Sequence, residues 1–153
     1  MMLRTHLAFS FLAALVLIHY FNIKSQLAFA VFLLFFSVIP DIDNYKSQIG
    51  KKIKPISFII QFIFGHRGIF HSIFITLIFA LVFFILKLRI LILAALIGYL
   101  SHLLLDMLTP SGIRLFYPFS KRKIRGIIKT NSLEETVFFI LIVIADVYFL
   151  IIT

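Results

Sequence analysis

The sequence contains no cysteine, which limits the chemistry that its side chains can offer. Without thiols the chain forms neither disulfide bonds nor thiolate metal sites, so a bound metal ion must use histidine, aspartate, glutamate or backbone oxygen. Charged residues are scarce as well, at 14% of the chain, and only 6 of them are acidic. The sequence also lacks repeats, low-complexity tracts and a polar second region. We therefore predict a single domain over residues 1–153.

Apolar residues, in contrast, are abundant. They make up 62% of the chain, 20 of them are phenylalanine, and the mean hydropathy is +1.13. A soluble domain of this size could not bury so much apolar surface, whereas a protein in lipid has no need to. Because backbone groups in a bilayer must form their hydrogen bonds internally, we predict an all-α integral membrane bundle. The first apolar segment lacks a signal-peptide cleavage site and is interpreted as a retained helix.

Five apolar stretches predict membrane-spanning helices, since a span takes roughly 20 helical residues. They run over about Leu7–Ile23, Leu27–Ile39, Ile69–Leu86, Ile90–Leu108 and Val137–Ile152. The third and fourth are easily long enough, the first and fifth are slightly short, and the second ends early at Pro40. A basic cluster followed by the apolar run Ile56–Phe64 predicts an amphipathic helix at the membrane interface. A sixth, short span is the alternative for this run.

The formal charge of +9 is interpreted as attraction to lipid headgroups, because no nucleic-acid recognition motif accompanies it. If the helices alternate in direction, all basic residues except Lys24, Lys87 and Arg89 lie on the face that holds the N-terminus. The positive-inside rule then places that face, the N-terminus included, in the cytoplasm of a multi-pass protein of the cell (inner) membrane.

The same alternation gathers most acidic residues and histidines on this face, and only Asp146 and His19 fall outside it. His102 and Asp106 stand one helical turn apart and share a helix face, as two metal ligands or as a structural hydrogen-bonded pair. Asp41 and Asp43 follow Pro40 at a helix end, where they either chelate cations or simply end the helix. We expect a divalent metal ion, Zn²⁺ or Mn²⁺, bound by residues from the set His6, Asp41, Asp43, His66, His71, His102 and Asp106.

Arg67 lies between two histidines, His66 and His71, at the predicted start of the third span. A guanidinium group is a natural bidentate partner of phosphate, so this run indicates metal-assisted attack on an anionic substrate. The alternative is an arginine that only reaches toward lipid headgroups.

Several short blocks together resemble the YdjM-like family of membrane-bound, metal-dependent hydrolases, some of which are LexA-regulated. The blocks are Thr5-His6, Pro40–Asp43, Gly65–Gly68 with His71-Ser72, Gly98–His102 with Asp106, Leu108–Gly112 with Tyr117-Pro118, and Leu133-Glu134. The resemblance implies that the histidines and aspartates named above, with Glu134, form the polar centre. Phe70 departs from the family, in which threonine is common at this position. The candidate catalytic residues are Arg67, Asp43, Glu134 and Thr109, with Asp43 or Glu134 as general base.

We therefore expect a membrane-embedded, metal-dependent hydrolase that cleaves a phosphoester of a lipid or another membrane-associated substrate. Its partners are membrane lipids and not nucleic acid, and the sequence leaves its oligomeric state open. One alternative is a metal-independent lipid phosphatase with a histidine nucleophile, for which His102 and Asp106 have the right spacing. The other is a metal-ion transporter or a structural membrane protein, although transport sites usually lie near the bilayer midplane.

Overall fold

Six α-helices follow one another along residues 1–64 and 68–152, which the computed structural model describes. They are α1 (Leu3–Phe21), α2 (Gln26–Val38), α3 (Lys54–Phe64), α4 (Ile73–Ile85), α5 (Arg89–Met107) and α6 (Leu133–Ile152). Two 3-10 helices, Ile39–Asp43 and Ile69–His71, precede α3 and α4. In this part of the chain the only β-type pairing is one bridge between Ile113 and Ile124. The prediction of an all-helical membrane bundle is confirmed.

Four segments of the described chain are long and apolar enough to cross a membrane: Leu3–Phe21, Gln26–Asp43, Arg89–Met107 and Leu133–Ile152. The second is longer than the sequence suggested, because Pro40 does not end the helical path. It lies at the start of a 3-10 helix, where a missing N–H costs little. The last is also longer, because α6 begins before its apolar run, with the Ser132 hydroxyl accepting a hydrogen bond from the Glu135 amide.

The third predicted span is shorter than expected. The sequence indicated Ile69–Leu86, but α4 has only 13 residues, fewer than a straight span requires. The prediction was wrong because the residues before α4 fold separately. Ile69–His71 forms a 3-10 helix, Ser72 is extended, and the Ile73 amide donates to the carbonyl of Leu115 at 2.9 Å.

The predicted amphipathic helix is present as α3. Among the described helices it separates its polar and apolar residues most strongly. Its apolar side is exposed, with Ile56, Phe58 and Ile59 each more than half exposed and Phe62 at 84%. Because such a surface is stable at the boundary between hydrocarbon and headgroups, α3 suits the membrane interface.

The most extensive packing in the bundle joins α2 to α5. Gly98 of α5 makes this possible, since a Cβ atom at this position would collide with the carbonyl oxygen of Leu33 on α2. Phe29, Leu33 and Tyr99 are fully buried in this contact. Helix α1 packs on α2, α5 and α6. The start of α1 and the ends of α2 and α5 consequently meet at one end of the bundle.

Candidate metal site

Five ligand-type side chains from four segments meet at that end of the bundle, and we refer to them as the metal cluster. They are His6 of α1, Asp41 after α2, His71 before α4, and His102 and Asp106 of α5. Potential ligand atoms lie within 4.8 Å of one another in two overlapping sets, one of His6, His102 and Asp106 and one of Asp41, His71 and His102. All but Asp41 are buried. Of the residues expected at the polar centre, the structure brings these five together.

Asp106 joins the two sets. Its Oδ1 lies 3.4 Å from Nε2 of His6, while its Oδ2 lies 3.5 Å from Nε2 of His71 and 3.9 Å from Nε2 of His102. The N-terminal amino group is 2.9 Å from Oδ1. One carboxylate therefore faces three imidazoles and a cation, which is the arrangement expected of a group that holds positive charge within a bilayer.

His102 has its tautomer set by the backbone of α2. Its Nδ1 lies 2.7 Å from the carbonyl oxygen of Ser37, which can only accept a hydrogen bond, so Nδ1 carries the proton. Nε2 is then left with a lone pair directed at the carboxylates of Asp41 and Asp106, each 3.9 Å away. Nε2 is buried and has no hydrogen-bond partner among the described residues. A buried imidazole whose Nδ1 is held by a backbone carbonyl and whose Nε2 lone pair is unpaired fits a metal ligand.

His6 is stacked on His102. Their ring centroids are 3.9 Å apart and the ring planes differ by 10°. Nδ1 of His6 is also buried and has no hydrogen-bond partner among the described residues. Leaving two imidazole nitrogens without partners is costly in a closed interior. A metal ion bound in the cluster would give Nε2 of His102 a partner, so the residues present fit a metal ion.

His71 is held from its other side by Asp43. Its Nδ1 is 3.0 Å from Oδ2 of Asp43, which turns Nε2 toward Asp106. Burial alone lowers the pKa of His71, but the hydrogen bonds with Asp106 and Asp43 outweigh it and raise the pKa to about 9. The Tyr99 hydroxyl donates to the carbonyl of Phe70 at 2.5 Å and so connects the 3-10 helix that contains His71 to α5.

Asp43 was expected as a metal ligand and as a possible general base. The structure places it fully buried beside Nδ1 of His71, and neither of the two ligand sets contains it. A carboxylate in this position orients a histidine ligand and increases its basicity. The two-residue spacing from Asp41 did not reveal this placement.

The two glutamates at the start of α6 differ in a way that the sequence did not indicate. Glu134, the expected catalytic residue, is exposed, whereas Glu135 is fully buried. Glu135 accepts hydrogen bonds from the amides of Met2 and Asn131, both at 2.6 Å, and from the Thr5 hydroxyl at 3.0 Å. Glu135 thus fixes the first turn of α1, the turn that carries His6. Only the orientation of α6 distinguishes these neighbouring residues.

Thr109, another catalytic candidate, follows α5 and is fully buried. Its hydroxyl donates to the backbone carbonyl of Asp106 at 2.8 Å and lies 2.9 Å from the Ser111 hydroxyl. Its own carbonyl accepts from the amides of Gly112 and Gly126, at 3.0 and 3.1 Å. These contacts shape the end of α5 and hold the following loop in place.

The remaining candidates lie elsewhere. His66 and Arg67 fall outside the described residues, so their roles stay predictions. Asp146 is a buried residue of α6 whose Oδ1 has no hydrogen-bond partner in the described chain. His19 is exposed and contacts the ring of Phe149. Neither belongs to the two ligand sets, as the sequence indicated.

A cavity of about 290 Å³ adjoins the metal cluster at the end of the bundle. Asp41 and Asp106 form part of its wall, and Lys46 and Thr130 from two loops form another part. The residues before and at the start of α1, and further residues of the loop before α3, line the rest of it. The cavity is therefore polar, has the cationic side chain of Lys46 in its wall, and reaches the cluster from the loops rather than from between the spans.

The fold and the site define a multi-pass helical membrane protein with a buried histidine–aspartate cluster at one end. The chain belongs to the YdjM inner membrane protein family, whose model matches residues 1–152. It is 43% identical over 89 residues to inner membrane protein YdjM of Escherichia coli K12, a match covering 53% of this chain and 44% of that protein. The YdjM protein of Shigella flexneri matches equally. No solved structure matches.

A third relative is the uncharacterized protein YvsG of Bacillus subtilis 168. It is 34% identical over 118 residues, which cover 74% of this chain and 72% of that protein. The match to the Escherichia coli and Shigella proteins spans less than half of their length. The family expected from the short motifs is thereby confirmed.

Proposed function

We propose that this protein is a membrane-embedded, metal-dependent hydrolase that cleaves a phosphoester of a lipid or of another membrane-associated substrate. The observation that carries the proposal is the unpaired, buried Nε2 of His102, directed at Asp41 and Asp106 beside two further imidazoles. Three imidazoles and two carboxylates form a donor set that suits zinc or manganese.

In this proposal some residues bind the metal ion and others fix the orientation of the metal-binding side chains. The residues that would hold one or two divalent ions are His6, Asp41, His71, His102 and Asp106. His102 belongs to both ligand sets, and Asp106 contacts histidines of both. Asp43 fixes the ring of His71, and the Ser37 carbonyl fixes the ring of His102. A bound divalent ion supplies Lewis acidity toward a phosphoryl oxygen and lowers the pKa of water toward ~7.

The position and charge of the cavity support a substrate whose anionic group enters from the loop side. Asp41 is the more accessible of the two cluster carboxylates, with 20% of its side chain exposed against 3% for Asp106, and both line the cavity. Lys46, in the same cavity wall, supplies positive charge to a phosphate there. Arg67 stays the expected bidentate phosphate partner on the grounds of its sequence position. A lipid headgroup at the bundle end meets these requirements.

The experiment that tests the proposal is elemental analysis of the purified full chain, together with its H102A/D106A variant. The wild-type protein is expected to retain zinc or manganese in stoichiometric amount, and the double variant is expected to lose it. Hydrolysis of a chromogenic phosphoester or a phospholipid in detergent should then stop on chelation and return when the metal is restored. The double variant E134Q/D146N, altered outside the cluster, serves as the control and should keep its metal.

A second candidate is metal-independent hydrolysis with His102 as nucleophile, which the same unpaired Nε2 favours. The chelation experiment separates the two candidates. Activity that survives complete metal removal but is lost in H102A supports the nucleophile. Activity that requires the metal, and from which no phosphohistidine intermediate can be trapped, supports the metal site. Flux of metal into proteoliposomes without hydrolysis would instead indicate a transporter.

The asymmetry of the basic residues supports a cytoplasmic location for the metal cluster and the N-terminus. Because the chain lacks cysteine, single introduced thiols can report on sidedness. The variant K52C should react with an impermeant maleimide only after cells are permeabilised, whereas K87C should react in intact cells. The opposite pattern would place the cluster outside.

A further inference from the structure

Two adjoining cavities form a groove at the bundle end opposite the metal cluster. The first has a volume of about 300 Å³ and an entirely apolar lining of Leu17, Phe21, Ile23, Phe29, Leu93 and Ile97. The second, also about 300 Å³, shares Ile23, Phe29 and Leu93 with it and adds Lys24, Ser25 and Arg89 among its lining residues. Because the two cavities share three lining residues, they form one continuous groove. Its lining is apolar along its length and basic at its outer end. We name it the distal groove.

The distal groove lies at the level where the spans end. Helix α1 ends at Phe21, α2 begins at Gln26 and α5 begins at Arg89, so the basic residues stand at the turns between helices. Phe21 is 71% exposed and Leu93 52%, so the apolar wall is open toward the surroundings of the bundle. In a membrane those surroundings are acyl chains below the turns and headgroups beside them.

Charge decides which lipid suits the groove. The turns 22–25 and 86–88 contain no acidic residue, and no ion pair of Lys24 or Arg89 occurs among the residues that the structure describes. Arg89 also lines a neighbouring cavity of about 620 Å³ together with Lys87. Lys24 and Arg89 therefore line the groove and Lys87 lies beside it, and a phosphate group at this end would meet positive charge.

We propose that the distal groove binds an anionic phospholipid, with one acyl chain against the apolar wall and the phosphate between Lys24 and Arg89. Apolar contact supplies attraction to any acyl chain, while the two cations select lipids with net negative charge. The site is separate from the metal cluster, because Leu17 lies roughly 16 Å along α1 from His6. The proposal does not depend on the hydrolase assignment.

The absence of tryptophan provides a direct test. The variant F21W carries one fluorophore in the wall of the groove, and the full chain can be reconstituted in vesicles that contain brominated phosphatidylglycerol or brominated phosphatidylcholine. Quenching at position 21 is expected to be stronger with the brominated anionic lipid. The substitutions K24Q and R89Q should each lower this preference roughly fivefold.

Two controls separate a specific site from a general attraction. A reporter at an exposed position of α6, I151W, is expected to show equal quenching by both lipids. The charge-matched pair K51Q/K52Q, on the loop before α3, should leave the preference at position 21 unchanged. Helicity equal to that of the wild-type protein would show that the variants are folded.

Three results would overturn the proposal. The first is an equal preference at positions 21 and 151, and the second is a preference that survives K24Q/R89Q. The third is quenching that falls as the protein-to-lipid ratio rises, which would indicate that a second copy of the chain fills the groove.

Discussion

Nδ1 of His102 on α5 donates a hydrogen bond of 2.7 Å to the carbonyl oxygen of Ser37 on α2. This bond makes the chemistry of the metal cluster depend on how closely two helices pack. The close approach is possible because α5 has glycine at position 98, where any side chain would meet the backbone of Leu33. Stability and metal affinity should therefore change together.

Gly98→Ala tests this coupling. The added methyl group must push α2 away from α5, which should cost about 1–3 kcal/mol of unfolding free energy and weaken metal binding, because Ser37 moves away from His102. Chemical denaturation in detergent and metal titration measure both effects. Leu104→Ala, on an exposed position of α5, should change neither by much. Weaker stability with unchanged metal affinity would contradict the coupling.

Asp43→Asn should weaken metal binding by roughly 10- to 100-fold while leaving the helical bundle intact. An amide is a weaker acceptor than the carboxylate that now fixes Nδ1 of His71. Competition with a fluorescent chelator measures the loss. Asp146→Asn, the same change far from the cluster, is the control and should bind metal like the wild-type protein. An Asp43→Asn variant with wild-type affinity would show that the orienting contact has no effect.

Glu135→Gln and Glu134→Gln form a matched pair. Glu135→Gln should lower the unfolding free energy by roughly 1.5–3 kcal/mol, because a buried charged acceptor of three hydrogen bonds is replaced. It should also reduce metal affinity, since the turn that carries His6 loosens. Glu134→Gln changes an exposed side chain and should leave both quantities nearly unchanged. Loss of activity in Glu134→Gln with full metal content would restore Glu134 as a catalytic residue.

Thr109 can be tested with two substitutions that separate a structural from a catalytic hydroxyl. Thr109→Ser keeps the donor to the Asp106 carbonyl and should keep the wild-type rate per metal-loaded molecule. Thr109→Val removes it and should cost about 1 kcal/mol of stability, with the rate per metal-loaded molecule nearly unchanged. A fall in that rate by two or more orders of magnitude in Thr109→Val would instead identify a catalytic hydroxyl.

Metal affinity should increase with pH up to about 9, the pKa of His71. A ligand imidazole must be neutral, so binding has to displace the proton that His71 carries below this pH. Each unit of pH below it should weaken binding by up to about tenfold. Isothermal titration in buffers of different ionisation enthalpy measures the released proton. Affinity that does not vary between pH 7 and 9 would remove His71 from the set of ligands.

The local sequence pattern predicted the elements with long, uninterrupted periodicity. α5 was expected over Ile90–Leu108 and is found over Arg89–Met107. His102 and Asp106 were expected on one of its faces, and both point into the cluster. α4 could not be predicted in the same way, because the expected span runs on from Ile69 without a break in its pattern, whereas the extended backbone at Ser72 separates Ile69–His71 from α4. Hydropathy depends on composition alone, so it does not detect the backbone hydrogen bond between Ile73 and a distant loop at the start of α4.

By itself the sequence determined the class of the protein, a helical membrane bundle, and the gathering of most histidines and carboxylates at one end. Its apolar composition requires surrounding lipid, and consecutive spans of one chain must cross the membrane in alternating directions. Only the tertiary structure decided that Glu135 rather than Glu134 is buried, and that Asp43 contacts His71 from outside the two candidate ligand sets while Asp41 belongs to one of them. Those choices depend on helix rotation and on contacts between residues far apart along the chain, which no local pattern encodes.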